Sequence, residues 1–68
     1  MANPYADVLD AEIVKFRNDL AWVRRRIVTL KAAGSVYLLG IYEEREAALV
    51  ENLMYTTEHR DLERAVRP

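Results

Sequence analysis

Residues 9–30 read Leu-Asp-Ala-Glu-Ile-Val-Lys-Phe-Arg-Asn-Asp-Leu-Ala-Trp-Val-Arg-Arg-Arg-Ile-Val-Thr-Leu. Within this stretch Leu9, Ile13, Phe16, Leu20, Val23, Ile27 and Leu30 recur at alternating spacings of four and three. Residues three and four apart stack on one face of an α-helix, so the spacing places seven large apolar side chains on one stripe. A helix with such a stripe must bury it against another element.

Upstream, Asn3-Pro4 reads as a helix start. Asn accepts hydrogen bonds from the orphan amides of the first turn, and Pro is tolerated at the first helical position. Asp7, Asp10 and Glu12 follow early, whereas Arg24, Arg25, Arg26 and Lys31 come late, an order that suits the helix dipole. No Gly or Pro interrupts residues 5–33. The first helix is therefore expected over 4–33.

Gly34-Ser35 is the one clear break. Gly suits a left-handed helix end and Ser suits the N-cap of a following helix. So short a connection turns the chain back on itself, which predicts an antiparallel αα-hairpin with a turn at 34–35 and a second helix over 36–66, closed by Pro68. Val36–Tyr42 contains β-branched and aromatic residues that would also suit a strand. Gly40 there costs a helix roughly 1 kcal/mol. Because no other segment could pair with such a strand, helix is the better reading.

Folding about Gly34 pairs residues whose numbers sum to about 69. Leu30 then meets Leu39, Ile27 meets Tyr42, Leu20 meets Leu49 and Phe16 meets Leu53, while Arg24 and Arg25 approach Glu44 and Glu46. Toward the chain ends Leu9 would face Arg60, and residues 56–61 are polar. The last dozen residues are expected to fray unless a partner orders them.

The chain has 68 residues, which sets an upper limit of one domain, spanning 1–68. With 51% hydrophobic and 31% charged residues it is expected to fold rather than stay disordered. A core this small is marginal, and short scaffolds rely on disulfides, metals or oligomerisation. There is no Cys, and the single His59 cannot build a zinc site alone. Self-association is the device that is left, so a homodimer forming a four-helix bundle is expected. Such a dimer resembles the Rop-like architecture in pattern alone, with no shared motif. The absence of Cys, of a signal-peptide pattern and of a long apolar run leads to the expectation of a cytoplasmic protein without a membrane segment. The preference for Arg over Lys, eight to two, fits a GC-rich genome.

No constellation for catalysis stands out, and neither a cofactor nor a metal is expected. Gly34 and Gly40 are isolated, so there is no phosphate loop. Ser35 and His59 lie far apart along the hairpin. Glu43, Glu44 and Glu46, like Asp7 and Asp10, read as a solvated face in the absence of an apolar pocket. Position 56 is Thr, so the Glu-x-x-His ligand pattern of carboxylate bundles is missing.

Two features point to binding. The first is a second stripe on helix 1: Ala11, Val14, Asn18, Ala21, Arg25, Val28 and Ala32, with Trp22 beside it. A weaker counterpart on helix 2 comprises Ile41, Ala48, Tyr55 and Leu62. A hairpin needs one apolar face per helix, and surplus apolar surface marks interfaces. The expected partner interface is therefore Val14, Ala21, Trp22, Val28, Ile41 and Tyr55, serving a second copy or an unidentified protein partner. The second feature is basic. Arg17, Arg24 and Lys31 line one edge of helix 1, and Arg24-Arg25-Arg26 with Lys15 completes a cluster that would suit nucleic-acid phosphates. Net charge is −1, with +2 in residues 1–33 and −3 in residues 35–68. Mutual pairing of the two halves explains that imbalance more simply. The leading expectation is a small non-enzymatic regulator, adaptor or inhibitor, of the kind phages and mobile elements carry as accessory proteins. The alternative is a nucleic-acid-binding hairpin that uses the Arg24–Arg26 edge.

Overall fold

A computed structural model describes residues 3–66 and shows two helices packed against each other as a hairpin: α1, Pro4–Ala33, and α2, Val36–Val66. Pro68 and the end of the 1–68 span lie outside the described residues.

Helix α1 begins where the Asn3 side chain accepts the Ala6 amide at 3.1 Å, with Pro4 directly inside the cap. It ends at Gly34, whose φ of 71° is the left-handed conformation that costs glycine little. The Gly34 amide donates to the Lys31 carbonyl at 3.2 Å and the Ser35 amide to the Leu30 carbonyl at 3.1 Å. This pair of backward bonds is the Schellman arrangement, which satisfies carbonyls the helix would otherwise leave bare. Ser35 opens α2 through its main chain, its carbonyl accepting the Leu39 amide at 2.9 Å. The Val36–Tyr42 segment is helical, not a strand.

The residues of α1 that reach the interior are Ala6, Leu9, Ile13, Leu20, Val23 and Ile27, with Phe16 and Leu30 half-buried between and beyond them. That series continues the three-and-four alternation back to Ala6, one step earlier than the sequence suggested. On α2 the inward series is Leu39, Tyr42, Glu46, Leu49, Leu53, Thr56, Arg60 and Glu63, of which only Leu49 is fully buried. Leu20, Val23, Ile27 and Leu49 form the core cluster, with Phe16, Leu39, Tyr42 and Leu53 packed around it. Numbers across the two series sum to 69 from Leu30–Leu39 out to Ala6–Glu63. The register therefore holds to the open end.

There the structure departs from expectation. The polar stretch 56–61 does not loosen, and α2 runs on to Val66. The reason is an ion cluster. Arg60 donates to Asp10 at 3.1 Å and to Asp61 at 3.0 Å. Arg64 bonds the other Asp10 oxygen and lies 4.0 Å from Asp7. Leu9 and Ile13 are buried at this level, although α2 offers only Arg60 and Thr56 opposite them. A long Arg side chain can lay its methylenes over apolar surface while its head group stays solvated. Thr57, within this stretch, donates its hydroxyl proton to the Leu53 carbonyl at 2.7 Å, which removes the cost of a polar group near the interface.

Two outcomes test this architecture. Leu20 is 6% exposed and Val14 55% exposed, so Leu20→Ala should cost ~2–5 kcal/mol in urea unfolding, whereas Val14→Ala should leave monomer helicity nearly intact. The open end should be acid-labile. The Arg60 hydrogen bond, followed after an opposing desolvation by that of Arg64, holds the Asp10 carboxyl below the ordinary carboxylate range. A carboxyl depressed in the folded state contributes its stability in full above the unfolded pKa of about 3.9, and loses it as pH falls through the lower folded value. Wild type should therefore melt above Asp10→Asn at pH 7, and that gap should be smaller at an acid pH below the ordinary carboxylate range. An equal gap at both pH values would show that the cluster does not act through ionised Asp10.

Candidate functional site

With each helix turning 100° per residue, the inward series fixes what lies on either side of it. Cross-helix contacts mark the two edges. Along one edge run Arg24–Glu46, 3.1 Å, and the Asp10–Arg60–Arg64 cluster. Along the other run Tyr5–His59, with ring centroids 5.4 Å apart in an edge-to-face arrangement, and Trp22–Tyr42, with centroids 5.9 Å apart.

The six residues expected to form one interface divide between these sides. Val14, Ala21 and Val28 recur every seven residues beyond the Arg24 edge, and together with Arg17 they flank it. Trp22, Ile41 and Tyr55 lie beyond the aromatic edge. All six are exposed, but no single flat partner surface covers them together.

The ionic flank holds an open groove of about 420 Å³. Leu20 and Leu53 line it between the helices, Arg17 and Arg24 border it on α1, and Met54 and Glu58 border it on α2. On the aromatic flank the Arg26 guanidinium sits 5.7 Å over the Trp22 ring, a cation–π contact. A smaller recess of about 310 Å³ lies among Tyr55, Glu58, His59 and Leu62.

The basic cluster is also dispersed. Consecutive residues on a helix point about 100° apart. Arg24 accordingly reaches Glu46 on one edge, Arg26 covers Trp22 on the other, and Arg25 projects from the back of α1. Arg17, Arg24 and Lys31 do share an edge, with Arg24 neutralised by Glu46.

The groups capable of chemistry are far apart or already engaged. Ser35 and His59 are 24 positions apart along α2, about 36 Å at 1.5 Å per residue. His59 is exposed and sets its ring edge-to-face against Tyr5. Asp7, Asp10, Glu46 and Asp61 are in ion pairs. Among the described residues no group of three His, Asp or Glu is placed to hold a metal, and no helix is long and apolar enough to cross a membrane. The sequence reading missed both ring contacts and the Asp10–Arg64 pair. Their signal was available in the register: on an antiparallel hairpin, pairs whose numbers sum to about five more or five less than the central 69 also come together at the edges, as do Asp10–Arg64 at 74 and Tyr5–His59 and Trp22–Tyr42 at 64.

This geometry defines a two-helix all-α hairpin with two chemically different flanks. No protein-family model, characterised protein or solved structure matches the chain.

The dispersal of the arginines has a measurable consequence. Wild type should show no tight, salt-sensitive binding to DNA or RNA in a filter-binding titration at two salt concentrations. Exposed ion pairs contribute ~0–1 kcal/mol, so the variant with Arg24, Arg25 and Arg26 all changed to Gln should fold almost normally. Binding that falls with salt by about one log–log unit per lost phosphate contact, and that disappears in the triple variant, would establish the phosphate-binding alternative.

Proposed function

We propose that this chain is a non-enzymatic, protein-binding helical hairpin that self-associates into a four-helix bundle and serves as a regulator, adaptor or inhibitor, of the kind phages and mobile elements use as accessory proteins. The observation that carries this reading is surplus surface. The molecule exposes 5198 Å², whereas a compact protein of its mass exposes about 4400 Å². Its radius of gyration is 15.5 Å, against about 11 Å for a compact chain of this length.

Much of that surplus is apolar. Trp22, Ile41, Met54, Tyr55 and Leu62 are all exposed, and Ile41, Tyr55 and Leu62 lie away from the α1–α2 contact. Large aromatic and aliphatic groups left in water cost free energy that burial against a partner recovers. Trp and Tyr are also the residues that most often anchor protein interfaces. The chemical groups described above are engaged in holding the hairpin together, which leaves docking as the activity its surface supports best.

Sedimentation equilibrium at low micromolar concentration decides the central element. A dimer or larger species is expected. A well-folded monomer across that range would remove the self-associating design.

A further inference from the structure

One flank of α2 is less charged than the side turned toward α1. The inward series includes Glu46, Arg60 and Glu63. The series one flank over, at Leu38, Ile41, Arg45, Ala48, Asn52, Tyr55, His59, Leu62 and Val66, keeps the three-and-four alternation for the whole helix. Arg45 is its single Asp, Glu, Lys or Arg. Tyr55 is 75% exposed and Leu62 63% exposed. A complete helical seam of this kind, left in solvent while a more polar one is buried, is made for another helix.

We infer that this seam, together with the Trp22 side of α1, is the face on which a second copy of the chain docks, related by a two-fold axis through Asn52. The inference rests on the self-association proposed above and specifies its face and symmetry. The seam is self-complementary about Asn52. An antiparallel second copy brings Leu38 opposite Val66, Ile41 opposite Leu62, the small Ala48 opposite the large Tyr55, and Arg45 opposite His59, each to within one residue. Asn52 then meets its own copy on the axis, and a lone Asn in an apolar seam is a known means of fixing register. An isologous contact requires this kind of pairing, in which residue i meets j while j meets i.

The charges on α1 agree with the same axis. Because inward numbers sum to 69, residue 17 of α1 lies level with Asn52. Lys15 and Asp19 are equidistant from that level and sit on the aromatic flank. The two-fold therefore places Lys15 of each copy beside Asp19 of the other. The matching row of α2 on the ionic flank, from Glu43 through Val50 and Met54 to Arg64, carries three charges, at Glu43, Asp61 and Arg64. To reach the surface of a compact protein of doubled mass, two copies must bury roughly 3000 Å² together, within the range of obligate homodimers.

The chain has no Cys, so a thiol can be placed on the axis without interference. Asn52→Cys treated with a short bismaleimide should yield mostly crosslinked dimer, and Met54→Cys, on the ionic flank, should yield little. Tyr55→Glu should weaken dimerisation at least a hundredfold in sedimentation, because each dimer then buries two unpaired charges, while Val28→Glu should leave it unchanged. Crosslinking through Met54→Cys in preference to Asn52→Cys, with wild type still dimeric, would overturn this face and axis but leave self-association standing. A monomeric wild type would overturn both.

Discussion

The structure depends on one constraint: a helix in a two-helix molecule has only one neighbour. Ala6, Leu9, Ile13, Leu20, Val23 and Ile27 bury themselves against α2, and α2 has no third element to receive its remaining apolar residues. The imbalance is visible in the burial itself, with six buried residues on α1 and one on α2. α1 uses its best face internally, whereas α2 meets it with Leu39, Leu49 and Leu53 interspersed with Glu46, Thr56 and Arg60. The better apolar seam of α2 faces outward.

That division also separates the jobs of the two ends. Near the turn the hairpin is held by packing, with Leu20, Val23, Ile27 and Leu49 dry and Phe16 and Tyr42 closing around them. At the open end charge is added to the burial of Ala6, Leu9 and Ile13, through Asp7, Asp10, Arg60, Asp61 and Arg64. Apolar packing is insensitive to salt and pH in the ordinary range, while exposed ion pairs respond to both. One molecule therefore carries two kinds of fastening, with different responses to its surroundings.

The all-helical hairpin was legible because its signals are local and redundant. The alternation from Leu9 to Leu30 specifies one buried stripe, and Gly34 is the one residue that can take φ 71° without strain. Even the register could be read, since it follows from folding about Gly34. The behaviour of the open end was less legible, because polarity at residues 56–61 looks like a reason to fray until Arg60 and Arg64 are seen to converge on Asp10. The grouping of exposed residues was the least legible part. Val14 and Trp22 both lie off the main stripe of α1, and sequence spacing alone measures how far a residue lies from that stripe more readily than on which side. The side becomes apparent only when cross-helix contacts label the edges, as Arg24–Glu46 and Trp22–Tyr42 do. For the same reason the run Arg24-Arg25-Arg26 looked like a patch in one dimension and is a fan in three.

The two-residue connection at Gly34-Ser35 also governs the order in which the fold can assemble. Bringing Leu30 to Leu39 closes a loop of only eight residues, whereas bringing Asp10 to Arg60 directly would close one of about fifty. In a flexible chain the larger closure costs about 1.6 kcal/mol more entropy. A hairpin whose contacts all sum to one number avoids the larger closure by advancing from the turn, each new pair lengthening an already closed loop by a few residues. The pairs apolar on both sides lie on the early part of that path, flanked by Arg24–Glu46, and the Asp10–Arg60–Arg64 cluster lies on its last steps. The chain is thus laid out as a zipper that closes from the hinge and reaches its ion cluster at the far end, a topology of short-range contacts that favours fast folding.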